Sequence, residues 1–242
     1  KKVIKLISDE RSLDLSLLVT GSHLEKKFGF TVDEIVKDQF KIDKRIKIHV
    51  NKSENINTTI SRAIKLISES LSEIKPDFLI LLGDRYEILA AAIAGFFLNI
   101  PIIHIHGGEK TVGSFDDTIR HCITKMSYIH LVAAEEYKNR VIQLGESPDK
   151  VFNVGGLGVD IIKSSKLLNK NELIKLLSVD FNKKNIVVTI HPETAGNCGP
   201  RDLSVKILNE LDKLKDTNLF FTESNADPGG EEITRNLKNF VN

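Results

Sequence analysis

The sequence predicts an α/β fold made of two Rossmann-like domains with parallel sheets, the second of them partial. Three observations lead there. Short, uniformly apolar runs alternate with longer segments of helical period, the signature of strands joined by crossover helices. The strand-like runs end on glycine or on charged residues, as they do where ligand loops gather. The alternation lapses between residues 165 and 183 and then restarts.

Taken in order, Val3–Ile7 reads as a helix with no strand feeding it. Ile56, Ile60, Ile64, Ile67, Leu71 and Ile74 recur at steps of three and four, one face of a helix that stops before Pro76. Phe78–Leu82 follows, too short and too uniformly apolar for a surface helix, and reads as a buried parallel strand closed by Gly83. The pattern repeats with a helix over Tyr86–Leu98, a strand over Ile102–His106, a helix over Phe115–Met126 and a strand over Ile129–Ala133. A helix over Glu135–Leu144, stopped by Gly145, leads to a strand over Val151–Val154. These elements place a first domain at residues 1–165.

A helix-rich stretch, Val159–Leu177, is interrupted by the polar segment 169–172, and residues 166–182 are assigned as a helical linker. Strand Ile186–Ile190, helix Asp202–Leu214, strand Leu219–Thr222 and helix Glu231–Val241 then make a second domain over residues 183–242. Two strands and two helices are a poor sheet, so this domain is expected to be incomplete.

Composition removes several function classes. The 34 basic and 33 acidic residues leave a net charge of +1, so there is no excess positive field for nucleic acid or an anionic membrane. The longest apolar run, Ile88–Leu98, is about half of the roughly 20 residues a spanning helix needs. Cys122 and Cys198 form neither a disulfide framework nor a zinc spacing, and a reducing cytoplasm fits them. Gly107-Gly108 and Gly155-Gly156-Leu157-Gly158 match neither the dinucleotide fingerprint nor the phosphate loop, so nicotinamide and ATP chemistry have no support.

Chemistry is therefore sought just past the strand ends. Gly83-Asp84-Arg85 follows the first strand; Asp84 is either a helix cap or an acid–base group, and Arg85 either a structural ion-pair partner or a phosphate ligand. Two glycines precede Glu109, which has no evident capping role. Ser114 and Asp117 match a capping box, leaving Asp116 as the functional candidate, although the helix dipole also favours a carboxylate there. His104 and His106, two apart on one strand, share a face; without a third ligand at diagnostic spacing they read as hydrogen-bonded histidines near a site. His191, at the mouth of the second sheet, is a further candidate.

The motifs Gly83-Asp-Arg-Tyr-Glu87, His104-Ile-His-Gly-Gly-Glu109, Phe115-Asp-Asp-Thr-Ile-Arg-His121, Ile190-His-Pro-Glu193 and Ser224-Asn-Ala-Asp227 occur in register along nearly the whole chain. Together they resemble the hydrolysing UDP-N-acetylglucosamine 2-epimerases of sialic acid biosynthesis. The resemblance implies a GT-B-like pair of domains, no cofactor and no metal, a homo-oligomer, and conversion of UDP-N-acetylglucosamine and water to N-acetylmannosamine and UDP. It also implies that Asp84, Glu109 and Asp116 are the catalytic carboxylates and that Arg85, His191 and Asn225 contact the UDP part. Two family features have no counterpart here: an N-terminal strand with a Gly-Thr-Arg-Ala-Glu type loop, and a C-terminal Ser-rich phosphate loop.

The chemistry asks for such groups. The proton on carbon 2 is not adjacent to a carbonyl, so the nucleotide must leave before or as that proton is removed; the glycal is then hydrated at carbon 1 and reprotonated at carbon 2 from the other face. That needs a base, an acid, and positive or dipolar groups around the leaving diphosphate, and a bell-shaped pH profile is expected. Alternatives are an epimerase acting on another nucleotide or on a diamino sugar, a GT-B-type glycosyltransferase, and a non-catalytic nucleotide-sugar sensor.

Overall fold

The computed structural model describes residues 1–49, 54–181, 184–193, 199–225 and 227–241, with the backbone alone of Lys27. Cys198 and the 182/183 boundary expected between linker and second domain lie outside the described residues. The elements, in order, are α1 (Lys2–Asp9), β1 (Leu18–Thr20), α2 (Val32–Lys37), β2 (Lys44–Ile46), α3 (Ile56–Ile74), β3 (Leu79–Leu82), α4 (Tyr86–Phe97) and β4 (Ile102–Ile105). They continue with α5 (Phe115–Met126), β5 (Ile129–Val132), α6 (Glu135–Gln143), β6 (Val151–Asn153), α7 (Leu157–Ser164), α8 (Lys170–Leu177), β7 (Lys184–Val188), α9 (Pro200–Leu211), β8 (Thr217–Phe221) and α10 (Gly230–Val241). Each strand ladder is parallel: β1 with β2, the four-stranded order β3-β4-β5-β6, and β7 with β8. No helix among the described residues is long and apolar enough to cross a membrane.

The chain divides into two compact units, Lys1–Val112 with Asp116–Lys163, and Ser164–Asn242 with Gly113–Phe115. The first is organised around α3 and α4. Asn55 caps α3, its side chain accepting from the Asn57 amide at 2.8 Å, and Lys75 closes it in the left-handed region just before Pro76. Of the stripe read from the sequence, Ile67 and Leu71 are buried while Ile56 at the helix start is exposed; with Ala63 they pack with Ala90, Ala92 and Ala94 of α4, with Leu81 and Ile102 of the sheet, and with Ile46 and Ile48. Small residues let α4 lie close to β3; a methyl group on Gly95 would sit 2.7 Å from Leu79 Cδ2. Val132, Val141 and Val151 form a second apolar cluster between α6 and strands β5 and β6.

Two expectations need correction. Phe78–Leu82 is a parallel strand, but only one of its faces is packed: Leu81 is 5% exposed, whereas Ile80 and Leu82 are 42% and 51% exposed. The helical layer of α3 and α4 contacts the side that Leu79 and Leu81 present, and alternate residues point away from it. Strands β1 and β2 were not expected at all. Each is three residues long, and the buried Ile46 and Ile48 are separated only by Lys47, an alternation too brief to stand out among the surrounding lysines.

In the second unit Ile190, Leu208, Ile233 and Leu237 make the core, with Val188 and Phe221 of the sheet packed on α9 and α10. A capping box starts α8: the Asn169 side chain accepts from the Glu172 amide at 3.0 Å, and the Glu172 carboxylate accepts from the Asn169 amide at 2.8 Å.

Candidate active site

The first strand end is built on a turn. Gly83 has φ +87°, and its carbonyl accepts from His104 Nε2–H at 2.9 Å. That bond fixes the tautomer, leaving His104 Nδ1 to accept from the Thr124 hydroxyl at 3.2 Å. His104 is fully buried, and burial pushes its pKa down to about 4, so the ring is a neutral strut beneath the Gly83-Asp84 peptide. Asp84 follows, its carboxylate paired with Arg120. Arg85 begins α4 as its N-cap; Nε donates to Glu87 Oε2 at 3.3 Å, and the guanidinium lies over the Tyr86 ring at 5.7 Å.

At the second strand end the chain leaves β4 by a left-handed turn. His106 has φ +66° and Gly108 φ +80°, and a methyl group on Gly108 would lie 2.4 Å from the Tyr137 carbonyl oxygen. The turn corrects the expectation that His104 and His106 share a strand face. β4 ends at Ile105, so the two-residue period no longer applies at His106. His106 Nδ1–H donates instead to Glu109 Oε1 at 2.6 Å, and both side chains are partly open to solvent.

The third contribution comes from the first turn of α5, which carries Asp116 and Asp117. Asp117 was expected to cap this helix in partnership with Ser114. Its Oδ1 accepts from the Thr111 amide at 2.6 Å and so closes the 111–117 loop; Oδ2 lies 3.8 Å from His121 Nε2.

These pieces converge on Arg120, a residue to which sequence reasoning assigned no role. Its side chain is 4% exposed. Nη1 donates to the Glu109 carbonyl at 3.0 Å and reaches Asp117 Oδ1 at 3.5 Å; Nη2 donates to the Asp84 carboxylate and to Thr111 Oγ1 at 2.9 Å. The one available signal was the i,i+3 spacing of Asp117 and Arg120 on a helix following a glycine-rich loop. Asp84, Glu109 and Asp116 thus stand on three chain segments within one unit, two of them joined directly by one guanidinium and the third beside Asp117, which the same guanidinium also holds.

His191 and Asn225 belong to the other unit, at the ends of β7 and β8. His191 Nδ1 accepts from the Asn225 amide at 3.2 Å, with Ser224 Oγ at 3.5 Å. The neutral ring therefore keeps its proton on Nε2, and the residue is exposed, which suits donation to an anion. The Asn225 side chain bonds Asp227 at both ends: Nδ2 donates to Oδ2 at 2.6 Å, and Oδ1 accepts from the Asp227 amide at 3.3 Å. Its carbonyl oxygen would lie 2.1 Å from a methyl group on Gly230, so the start of α10 is pressed against this loop.

Parallel strands joined by crossover helices in two units, with polar side chains at the strand ends, define a GT-B-like α/β fold class, and solved structures share that fold. A Neisseria meningitidis UDP-GlcNAc 2-epimerase bound to UDP-GlcNAc superimposes with a TM-score of 0.78 at 19% identity, over 100% of this chain and 66% of that one. A Methanocaldococcus jannaschii UDP-GlcNAc 2-epimerase in complex with UDP-GlcNAc and UDP gives 0.73 at 17% identity, over 99% and 65%. The chain belongs to the UDP-N-acetylglucosamine 2-epimerase family, whose model matches residues 5–242. Among curated relatives, the GDP/UDP-N,N'-diacetylbacillosamine 2-epimerase (hydrolyzing) of Campylobacter jejuni is 40% identical over 97% of this chain and 61% of its own length. Polysialic acid biosynthesis protein P7 of Escherichia coli is 41% identical over 99% and 62%. The chain thus spans a little over three fifths of the curated relatives it matches.

Proposed function

We propose that the protein is a hydrolysing 2-epimerase of a UDP-activated 2-acetamido sugar, converting UDP-N-acetylglucosamine and water to N-acetylmannosamine and UDP. The observation that carries this reading is the tethering of the loops bearing Asp84, Glu109 and Asp116 around a single buried guanidinium. Asp116 moves the proton at carbon 2, Glu109 assists with His106 as its hydrogen-bonded partner, and Asp84 stabilises the cationic character of the transition state. Arg85, His191 Nε2–H and Asn225 receive the departing diphosphate and its nucleoside. In this reading residues 1–165 form the domain that carries the carboxylates and residues 183–242 belong to the nucleotide-binding domain, with 166–182 between them.

A second substrate is favoured by a specific observation. Two curated relatives, at 40% and 34% identity, are named as 2-epimerases of N,N'-diacetylbacillosamine nucleotides. That sugar can undergo the same elimination, because its differences from N-acetylglucosamine lie at carbons 4 and 6, away from the reacting carbons. Assaying both UDP sugars side by side, with free UDP and free sugar scored together, separates the two.

The chemical test is run in heavy water. The epimerised sugar must carry deuterium at carbon 2, and unlabelled product would exclude solvent proton exchange. Asp84→Asn, Glu109→Gln and Asp116→Asn are each expected to abolish turnover while UDP affinity is kept. Release of UDP only when an acceptor is supplied, with carbon 2 unchanged, would instead identify a transferase.

A further inference from the structure

We propose that Arg120 is the positioning residue of this site: it sets the spacing of the loops that carry the reacting carboxylates and does not itself touch substrate. The inference rests on the epimerase reading.

A guanidinium has five N–H groups in a rigid plane. Four of those on Arg120 have named acceptors: the Glu109 carbonyl and Asp117 on one side of the fork, the Asp84 carboxylate and Thr111 Oγ1 on the other. The fifth, on Nε, is buried and meets no hydrogen-bond acceptor among the described residues. The four N–H groups at the tip of the fork are thus engaged and the fifth is closed off from solvent, which distinguishes Arg120 from the more exposed Arg85 beside the same loop.

The four acceptors lie on three separate segments. Asp84 follows β3, Glu109 and Thr111 follow β4, and Asp117 opens α5. Backbone hydrogen bonds tie the roots of the first two loops: the Gly83 amide donates to the Ile105 carbonyl at 3.1 Å and the His106 amide to the Leu131 carbonyl at 3.0 Å. Beyond those roots the fork joins Asp84 to the Glu109 loop through side-chain hydrogen bonds. A lysine would supply the charge from a single point and could not bridge both sides of a planar fork. Misplacing a reacting group by about 1 Å can cost on the order of 100-fold in rate.

The test compares Arg120→Lys, Arg120→Met and the milder Thr111→Val with the parent in the full chain. Expected for Arg120→Lys is a fall in kcat of about 100-fold, with KM and the UDP dissociation constant held within about threefold. Thr111→Val, which keeps the charge and removes one bond, is expected to lower kcat several-fold and keeps the proposal testable should Arg120→Met fail to fold. Hydrogen exchange supplies a readout independent of turnover: peptides covering 82–86 and 105–112 should lose protection together in Arg120→Lys while α3 keeps its own.

A kcat within threefold of the parent, unchanged protection in both peptides, or a loss of UDP affinity in step with kcat overturns the positioning role. If the parent itself forms no epimerised sugar, the functional reading fails, and the exchange data still decide whether Arg120 holds the two loops.

Discussion

Replacing Gly108 by alanine tests whether the turn after β4 is held by contact or merely by a backbone preference. At φ +80° any L-residue is disfavoured, and the added methyl group would also lie 2.4 Å from the Tyr137 carbonyl oxygen and 2.8 Å from Val141 Cγ2. Ordinary contact begins near 3.4 Å, so the overlap with the carbonyl is about 1 Å. That carbonyl belongs to α6, which is anchored by the buried Val141 and cannot rotate away. Gly113 is the control, with φ +78° and nothing within 4 Å of the position its Cβ would take. The left-handed conformation costs about 1–2 kcal/mol at either site, and only Gly108 adds overpacking of about 1–3 kcal/mol. Gly108→Ala should therefore lose about 3 kcal/mol and Gly113→Ala about 1 kcal/mol. For a chain of this size that is roughly 6–12 °C in Tm against roughly 3 °C. Urea unfolding and calorimetry measure both, and kcat should fall further in Gly108→Ala because Glu109 is the next residue. Equal losses at the two positions would refute steric packing against α6 as the reason for glycine.

His104 makes stability pH-dependent in a defined direction. Its pKa is about 4 in the fold and about 6.5 in the unfolded chain, so the unfolded state takes up a proton first as pH falls, and stability drops between pH 6.5 and 4. The wild type should lose roughly 2 kcal/mol between pH 7 and pH 5 through this group, and His104→Gln should lack that component; matching pH slopes by urea titration would remove His104 as its source. Asn169→Ala should cost α8 about 1 kcal/mol by removing its capping box. Because α8 buries no residue, the loss should show as faster hydrogen exchange within Lys170–Leu177 and leave the global unfolding midpoint nearly unchanged.

Much of the architecture was legible because it is encoded locally. The apolar steps from Ile56 to Ile74 give α3 with the expected bounds, and the glycines and prolines around Phe78–Leu82 delimit β3 to within a residue. Helix α5 likewise begins at Phe115 and ends at Met126 as its periodicity requires. Where local signals are short they mislead. Three-residue strands such as β1 and β2 offer too few alternations to register, and the left-handed turn at His106 cancels the two-residue period that put it on a face with His104. The Asp117 carboxylate accepts from the Thr111 amide, a contact six residues back that the spacing of a capping box does not indicate.

By itself the sequence determined the kind and order of the elements, the parallel character of the sheets, and the strand ends at which polar side chains gather. Periodicity and turn chemistry act between residues a few positions apart, and they carry that much. Only the tertiary structure decided that Arg120 joins Asp84, 36 residues away, to the loop of Glu109, and that His104 supports the Gly83 carbonyl from the neighbouring strand. Those meetings depend on how crossover helices and strands pack, and a buried guanidinium selects its partners by direction and desolvation, which the spacing of letters does not express.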